Sequence, residues 1–270
     1  MSRGYVGFIG LGGMGEPMAA RILEGGFSVL SCAHRRRGAI EKLKLKGLEE
    51  VETAALVGER VDVLITCVVD EEQTDAVLRG ESGALSTLKP GSVLVVMSTI
   101  SPTYCQELAR EARARNVSVL DCPVSGARVR AEQGTLAIIC GGQEDIVERC
   151  RLILEAMGTI HYCGGIGMGQ VAKLVNQGIM LGIIKLVQEG RALGRSYGLD
   201  PDTLMSVLGN STANTTVGEN WNMFVSMWPQ VVGLGQKDLD LCLKAAQAKD
   251  VSMPLIEARR AMSWELQPGD

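Results

Sequence analysis

Four glycines within six residues carry the clearest chemistry in this chain: Gly10-Leu11-Gly12-Gly13-Met14-Gly15. The first permits a tight turn, the third residue lets backbone approach a pyrophosphate, and the sixth lets a helix pack closely on a sheet. A helix opening there supplies free amides and a partial positive charge to phosphates. The stretch GFIGLGGMG at 7–15 joins a strand-like run at 5–10 to a helix-like run at 14–24, the context that a dinucleotide cradle requires. Without that context a glycine-rich turn is only structural.

The next strand ends in Cys32-Ala33-His34-Arg35-Arg36-Arg37, with no acid before Glu41. A carboxylate at that position bonds the ribose hydroxyls of NAD, whereas arginine accommodates the 2′-phosphate of NADP. His34, Arg35 and Arg36 therefore point to NADP(H) as the preferred cofactor, with NAD(H) still possible. The competing reading is a solvated basic helix start, but arginine is poorly placed at a helix N-terminus.

Hydride transfer also needs a group that exchanges the hydroxyl proton. The two histidines, His34 and His161, fall in the adenosine region and in a terminal strand, and read as bystanders. Lys173 suits the role better. It follows Gly169 on an almost wholly apolar helix, where burial lowers a lysine pKa toward a useful value. Asn176 and Gln177 lie three and four residues on, hence on the same helical face. The plain alternative is a lysine snorkelling out of a core helix. Residues Asp121 to Ala127 (DCPVSGA) follow another strand end, where open sheets present their ligands. Amides at Ser125, Gly126 and Ala127 can hold a carboxylate there, or the segment is an ordinary loop. The second glycine-rich run, 164–169, reads as a hinge and helix start rather than a second phosphate cradle.

These residues need a framework. Apolar runs at 5–10, 27–33, 61–68, 92–97, 117–121, 135–140 and 159–162 alternate with helical patterns, the signature of a parallel sheet covered by helices. After Gly169 no strand pattern follows, and 169–197, 201–209, 236–249 and 254–264 read as helices. The expected fold is α/β, an N-terminal Rossmann-type doubly wound sheet at 1–165 followed by an all-helical C-terminal domain at 166–270. The helix at 169–197 is apolar on nearly every side and must be surrounded by protein, which suggests an oligomer. The polar run at 210–222 is expected to line a pocket, with Trp221 as a cap. A formal charge of −4, 46% hydrophobic and 21% charged residues describe a globular chain with no call for nucleic acid or an anionic membrane. Eight cysteines without a CxxC pair indicate neither a zinc site nor a redox motif, so no metal is expected. With no signal-peptide pattern before the first strand, a reducing, cytoplasmic setting is expected.

Four ordered blocks resemble the β-hydroxyacid dehydrogenase family: GFIGLGGMGEPMA, DCPVSGARVRAEQGTLAIICGG, GIGMGQVAKLVNQ and QKDLDL at 236–241. The resemblance implies a nicotinamide-dependent oxidoreductase, homodimeric or homotetrameric, interconverting a small β-hydroxyacid and its semialdehyde, with Lys173 as general acid/base. It further implies that Ser125, Gly126, Ala127, Asn176, Gln177 and Asp238 bind the small carboxylate or aldehyde substrate. Gly10 to Gly15, Val68, Val69, Thr99 and Lys237 would serve the cofactor side. The family usually has asparagine where Gln177 stands and glycine where Ala127 stands, and its members usually continue for a short segment beyond residue 270. Two alternatives accompany this reading, an imine reductase-like enzyme and a catalytically inactive NADP-binding module; Lys173 argues against the first.

Overall fold

Buried strands of a parallel sheet show near-continuous apolar runs, because successive side chains enter cores on both faces. That is the arrangement in the computed structural model, which describes residues 5–32 and 37–266. The chain divides into two compact units, Met1–Lys173 and Leu174–Asp270. The first opens with β1 (Tyr5–Ile9), α1 (Gly15–Glu24), β2 (Ser28–Cys32), α2 (Arg37–Lys44), β3 (Glu49–Val51) and α3 (Ala54–Gly58). It continues through β4 (Val63–Thr66), α4 (Glu71–Leu78), β5 (Val93–Val96), α5 (Pro102–Arg113) and β6 (Ser118–Asp121). These strands form one parallel sheet in the order β3-β2-β1-β4-β5-β6.

Neighbouring residues of each strand feed different cores. Val93 and Val95 of β5 join Phe8, Met18, Ile22 and Ile40 on one face, while Leu94 and Val96 join Val57, Leu78, Cys105 and Leu108 on the other. Beyond β6 come β7 (Val124–Ser125), α6 (Ala127–Gln133), β8 (Leu136–Cys140), α7 (Glu144–Glu155) and β9 (Gly158–Tyr162). They add a three-stranded sheet in which β7 is antiparallel and β9 parallel to β8. The strand order reverses between β1 and β4, so the carboxyl ends of those strands flank the crevice where such sheets hold ligands.

The long helix α8 (Met168–Ser196) starts in the first unit and continues into the second. After it come α9 (Pro201–Gly209), α10 (Thr216–Glu219), α11 (Trp221–Gln247) and α12 (Pro254–Ala261). Among the described residues α8 is the one helix long and apolar enough to cross a membrane by length and composition. Within the second unit its Leu181 and Ile184 enter a core with Trp221, Trp228 and Leu239. Trp228 stacks on Trp264 with ring centroids 6.1 Å apart, and the Arg259 guanidinium lies over the Trp264 ring.

The chain passes from the first compact unit to the second inside α8, after Lys173, and the helix's first turn is hydrogen-bonded into the first unit. The structure differs from the sequence reading at two elements, β3 and α11. Strand β3 was hidden by its glutamates: Glu49 pairs with Arg60 and Glu50 with Arg37, so charge is tolerated at this sheet edge. Helix α11 begins at Trp221 and runs through Pro229, some fifteen residues before the expected start at 236. Trp221 packs into the core at that helix start and, with its neighbours at 218–223, also lines a cavity, as expected for the end of the polar run.

Candidate site for cofactor binding and proton transfer

In the turn after β1, Gly10 has φ +108°, and a Cβ there would lie 2.2 Å from the Cys67 carbonyl oxygen. A Cβ on Gly15 would lie 1.9 Å from the Gly10 carbonyl oxygen, so close packing of α1 on the turn demands glycine. Gly12 and Gly13 differ: a Cβ on either meets nothing within 4 Å. Their backbone faces open space at the start of a helix whose N-cap, Met14, makes no side-chain cap. Leu11 is buried in the core beneath. This open, uncapped helix start fits a pyrophosphate.

Two strand ends run beside this turn. After β4, Val68 donates its amide to Ser98 Oγ at 2.9 Å, and the exposed Val69 donates to Gln73 Oε1 at 3.3 Å. After β5, Thr99 lies between Ser98 and Ile100, both tied to Gln170. Gln170 Nε2 donates to the Ser98 carbonyl at 2.9 Å, and Gln170 Oε1 accepts from the Ile100 amide at 3.1 Å.

Asp121, at the end of β6, is wholly buried and holds the start of α8. Its Oδ1 accepts from the Gly167 amide at 2.6 Å and its Oδ2 from the Gln170 amide at 2.7 Å. Burial pushes this carboxyl up to about 6, against the lowering effect of the Gly167, Gln170 and Gly169 amides. A Cβ on Gly169 would lie 2.5 Å from the Asp121 carbonyl oxygen, so the second glycine-rich run serves close packing at a capped helix start. Lys173, 7% exposed, lies in the next turn and is buried as the sequence suggested.

Ser125 ends β7, and Gly126 precedes α6 at φ +137°. Ala127 follows at φ 55°, a left-handed backbone at the position where the resembled family has glycine. Next to it, Arg128 Nη1 donates to the Gly13 carbonyl at 3.1 Å and joins α6 to the glycine turn. Sequence reading missed Arg128, Ser98, Asp121 as a cap and Gln170, since their partners are distant in sequence.

In the second unit, Gln177 Nε2 donates to Asp238 Oδ2 at 2.7 Å, and Asn176 Nδ2 donates to Gln177 Oε1 at 3.1 Å. Lys237 Nζ lies 3.0 Å from Asp238 Oδ1, out of line for a hydrogen bond. A cavity of about 320 Å³ is lined by Arg191, Asp202 and residues 218–223, and its walls include neither Gln177 nor Asp238. His34, Arg35 and Arg36 lie outside the described residues, and His161 lies exposed in β9. No cluster of three metal-ligating side chains occurs among the described residues.

A doubly wound sheet with an open glycine turn at its switch point defines a dinucleotide-binding protein, and the comparisons narrow that class to an oxidoreductase. Residues 5–167 match the family of the NAD binding domain of 6-phosphogluconate dehydrogenase. Residues 167–269 match the family described as NAD-binding of NADP-dependent 3-hydroxyisobutyrate dehydrogenase. The 2-hydroxy-3-oxopropionate reductase of Escherichia coli is 35% identical over 254 residues, covering 92% of this chain and 86% of that protein. The NAD-dependent L-serine dehydrogenase of Pseudomonas aeruginosa is 32% identical, covering 93% and 88%. The crystal structure of 3-hydroxyisobutyrate dehydrogenase from Salmonella typhimurium superposes with a TM-score of 0.85 at 29% identity, covering 96% and 92%. The chain belongs to the β-hydroxyacid dehydrogenase family of NAD(P)-dependent oxidoreductases.

Proposed function

We propose that this enzyme interconverts a small β-hydroxyacid and its semialdehyde, prefers NADP(H), and uses Lys173 as general acid/base. The observation that carries the reading is the placement of Lys173. It is buried one turn beyond the point where Asp121 and Gln170 bind α8 to the carboxyl ends of β5 and β6. When bound, the nicotinamide supplies or accepts hydride at the reacting carbon. In the reductive direction Lys173 Nζ delivers a proton to the carbonyl oxygen, and in the oxidative direction it removes one from the hydroxyl.

The remaining roles follow the family's motifs. Gly10, Leu11, Gly12, Gly13, Met14 and Gly15 hold the pyrophosphate, and Val68, Val69 and Thr99 line the nicotinamide side. Amides at Ser125, Gly126 and Ala127 take the substrate carboxylate. Asn176, Gln177 and Asp238 serve the substrate, and Lys237 the cofactor. NADP preference rests on Arg35 and Arg36, with His34, because Arg37 is engaged by Glu41 and Glu50. The relatives use both cofactors by name, one being NAD-dependent, so direct comparison decides the point.

An oligomer, dimer or tetramer, is supported by the row of exposed apolar residues Val175, Ile179, Leu186 and Leu193 along α8. Eight free cysteines favour a reducing, cytoplasmic setting, and a formal charge of −4 gives no support for nucleic-acid or membrane partners.

The test is oxidation of NADPH and of NADH with glyoxylate, succinic semialdehyde, tartronate semialdehyde and methylmalonate semialdehyde. At least one is expected to turn over, faster with NADPH at limiting cofactor. Lys173→Ala is expected to lower kcat by about 10²–10⁴-fold with cofactor affinity retained. Near-normal turnover in that variant refutes the assigned role.

A further inference from the structure

Gln170 is wholly buried, yet it is an amide with both ends in use. Its Nε2 donates to the carbonyl of Ser98 and its Oε1 accepts from the amide of Ile100, a two-pronged grip around Thr99. Its own backbone amide donates to Asp121. Ser98 in turn takes the Val68 amide through its hydroxyl. Gln170 thus joins the carboxyl ends of β5 and β6 to the first turn of α8, and Ser98 adds the end of β4. Lys173 follows three residues later, about 4.5 Å along the helix axis. An apolar side chain would fill the same volume without the desolvation cost of an amide, so packing alone does not account for Gln170. Fully satisfied buried networks rigidify and select one arrangement.

We propose that Gln170 is a positioning residue that locks the nicotinamide-side strand end to the helical turn bearing Lys173, keeping the hydride-transfer face and the proton donor in register. The proposal rests on the role given to Lys173 above. It does not place Gln170 in contact with substrate or cofactor.

Two variants of the enzyme test it. Gln170→Leu removes both prongs. Gln170→Glu keeps the acceptor for Ile100 but sets a carboxylate against the Ser98 carbonyl. Protonation of that buried carboxyl restores a donor, so its activity relative to the native enzyme should recover as pH falls. For Gln170→Leu, kcat is expected to fall about 100-fold, the size associated with a 1 Å misplacement. KM for substrate and cofactor should stay within about threefold, the split that marks loss of an interaction specific to the transition state. With cofactor deuterated at the transferring position, the isotope effect on kcat should rise as hydride transfer becomes limiting.

The proposal is overturned if Gln170→Leu folds and keeps native kcat, or if kcat, KM and melting temperature deteriorate together. It is also overturned if neither variant folds, since Gln170 is then a structural residue, or if Gln170→Glu shows no recovery at low pH. Lys173→Ala, measured in parallel, separates the two readings. Normal turnover there defeats the Lys173 assignment independently of Gln170, whereas a dead Lys173→Ala beside a fully active Gln170→Leu defeats only the positioning role.

Discussion

Replacing Asp121 by asparagine should make stability less dependent on pH while slowing the enzyme. The folded chain holds this carboxyl at about 6, against an ordinary 3.8, with burial as the main cause. Each pKa unit corresponds to about 1.4 kcal/mol, so the ionised form costs the fold about 3 kcal/mol relative to the unfolded chain. Between those two values the folded chain keeps a proton that the unfolded chain has released, so stability falls as pH rises through the window. Below 3.8 the penalty is absent, and above about 6 it is complete. Asparagine does not titrate and removes this slope. Its NH₂ group also faces one of the two amides that the carboxylate accepts, a pH-independent cost of about 1–3 kcal/mol. Whatever that offset, Asp121→Asn should gain on the native enzyme by about 3 kcal/mol between about pH 4 and pH 7. Urea unfolding at intervals across that range measures the difference directly. Parallel stability curves would refute the account of Asp121 as a buried, titrating cap. At neutral pH the variant accepts only one of the two amides at the start of α8, so its kcat should drop even where its stability does not.

Two substitutions test the backbone around the proposed ligand sites. Gly15→Ala puts a methyl 1.9 Å from the Gly10 carbonyl oxygen, and only backbone movement relieves it. A shift of about 1 Å should lower kcat/KM for the cofactor about 100-fold, read by steady-state kinetics at varied cofactor; unchanged kinetics would mean the turn is not the cradle. Ala127→Gly relieves a left-handed alanine at φ 55°. Relief of about 1–2 kcal/mol, less the added chain entropy of glycine, should leave a net gain of about 0.5–1 kcal/mol in chemical denaturation. A loss of stability would show that the methyl's packing outweighs the strain.

Much of the first unit was legible because burial on both faces of a parallel sheet writes itself as apolar runs such as VDVLITCV and SVLVVM. Strand β3 was not, because Glu49 and Glu50 read as loop until their pairing with Arg60 and Arg37 is seen. Nor was the first half of α11, which carries through Pro229 with Trp228 stacked on Trp264. For the candidate site, residue type alone singled out Lys173 and the first glycine run. The supports could not. Gln170 meets Ser98 across 72 residues and Asp121 across 49, separations at which spacing carries no signal.

The two glycine-rich runs show why residue type needs its surroundings. GLGGMG and GGIGMG look alike, and each opens a helix. At α1 the central glycines face open space and no side chain caps the helix, so its amides and partial positive charge remain available to an anion. At α8 the buried Asp121 already takes the Gly167 and Gln170 amides and supplies the negative charge itself. A phosphate there would meet a carboxylate instead of free donors. Binding capacity at the first run and helix anchoring at the second thus follow from one difference, the presence of an internal anion.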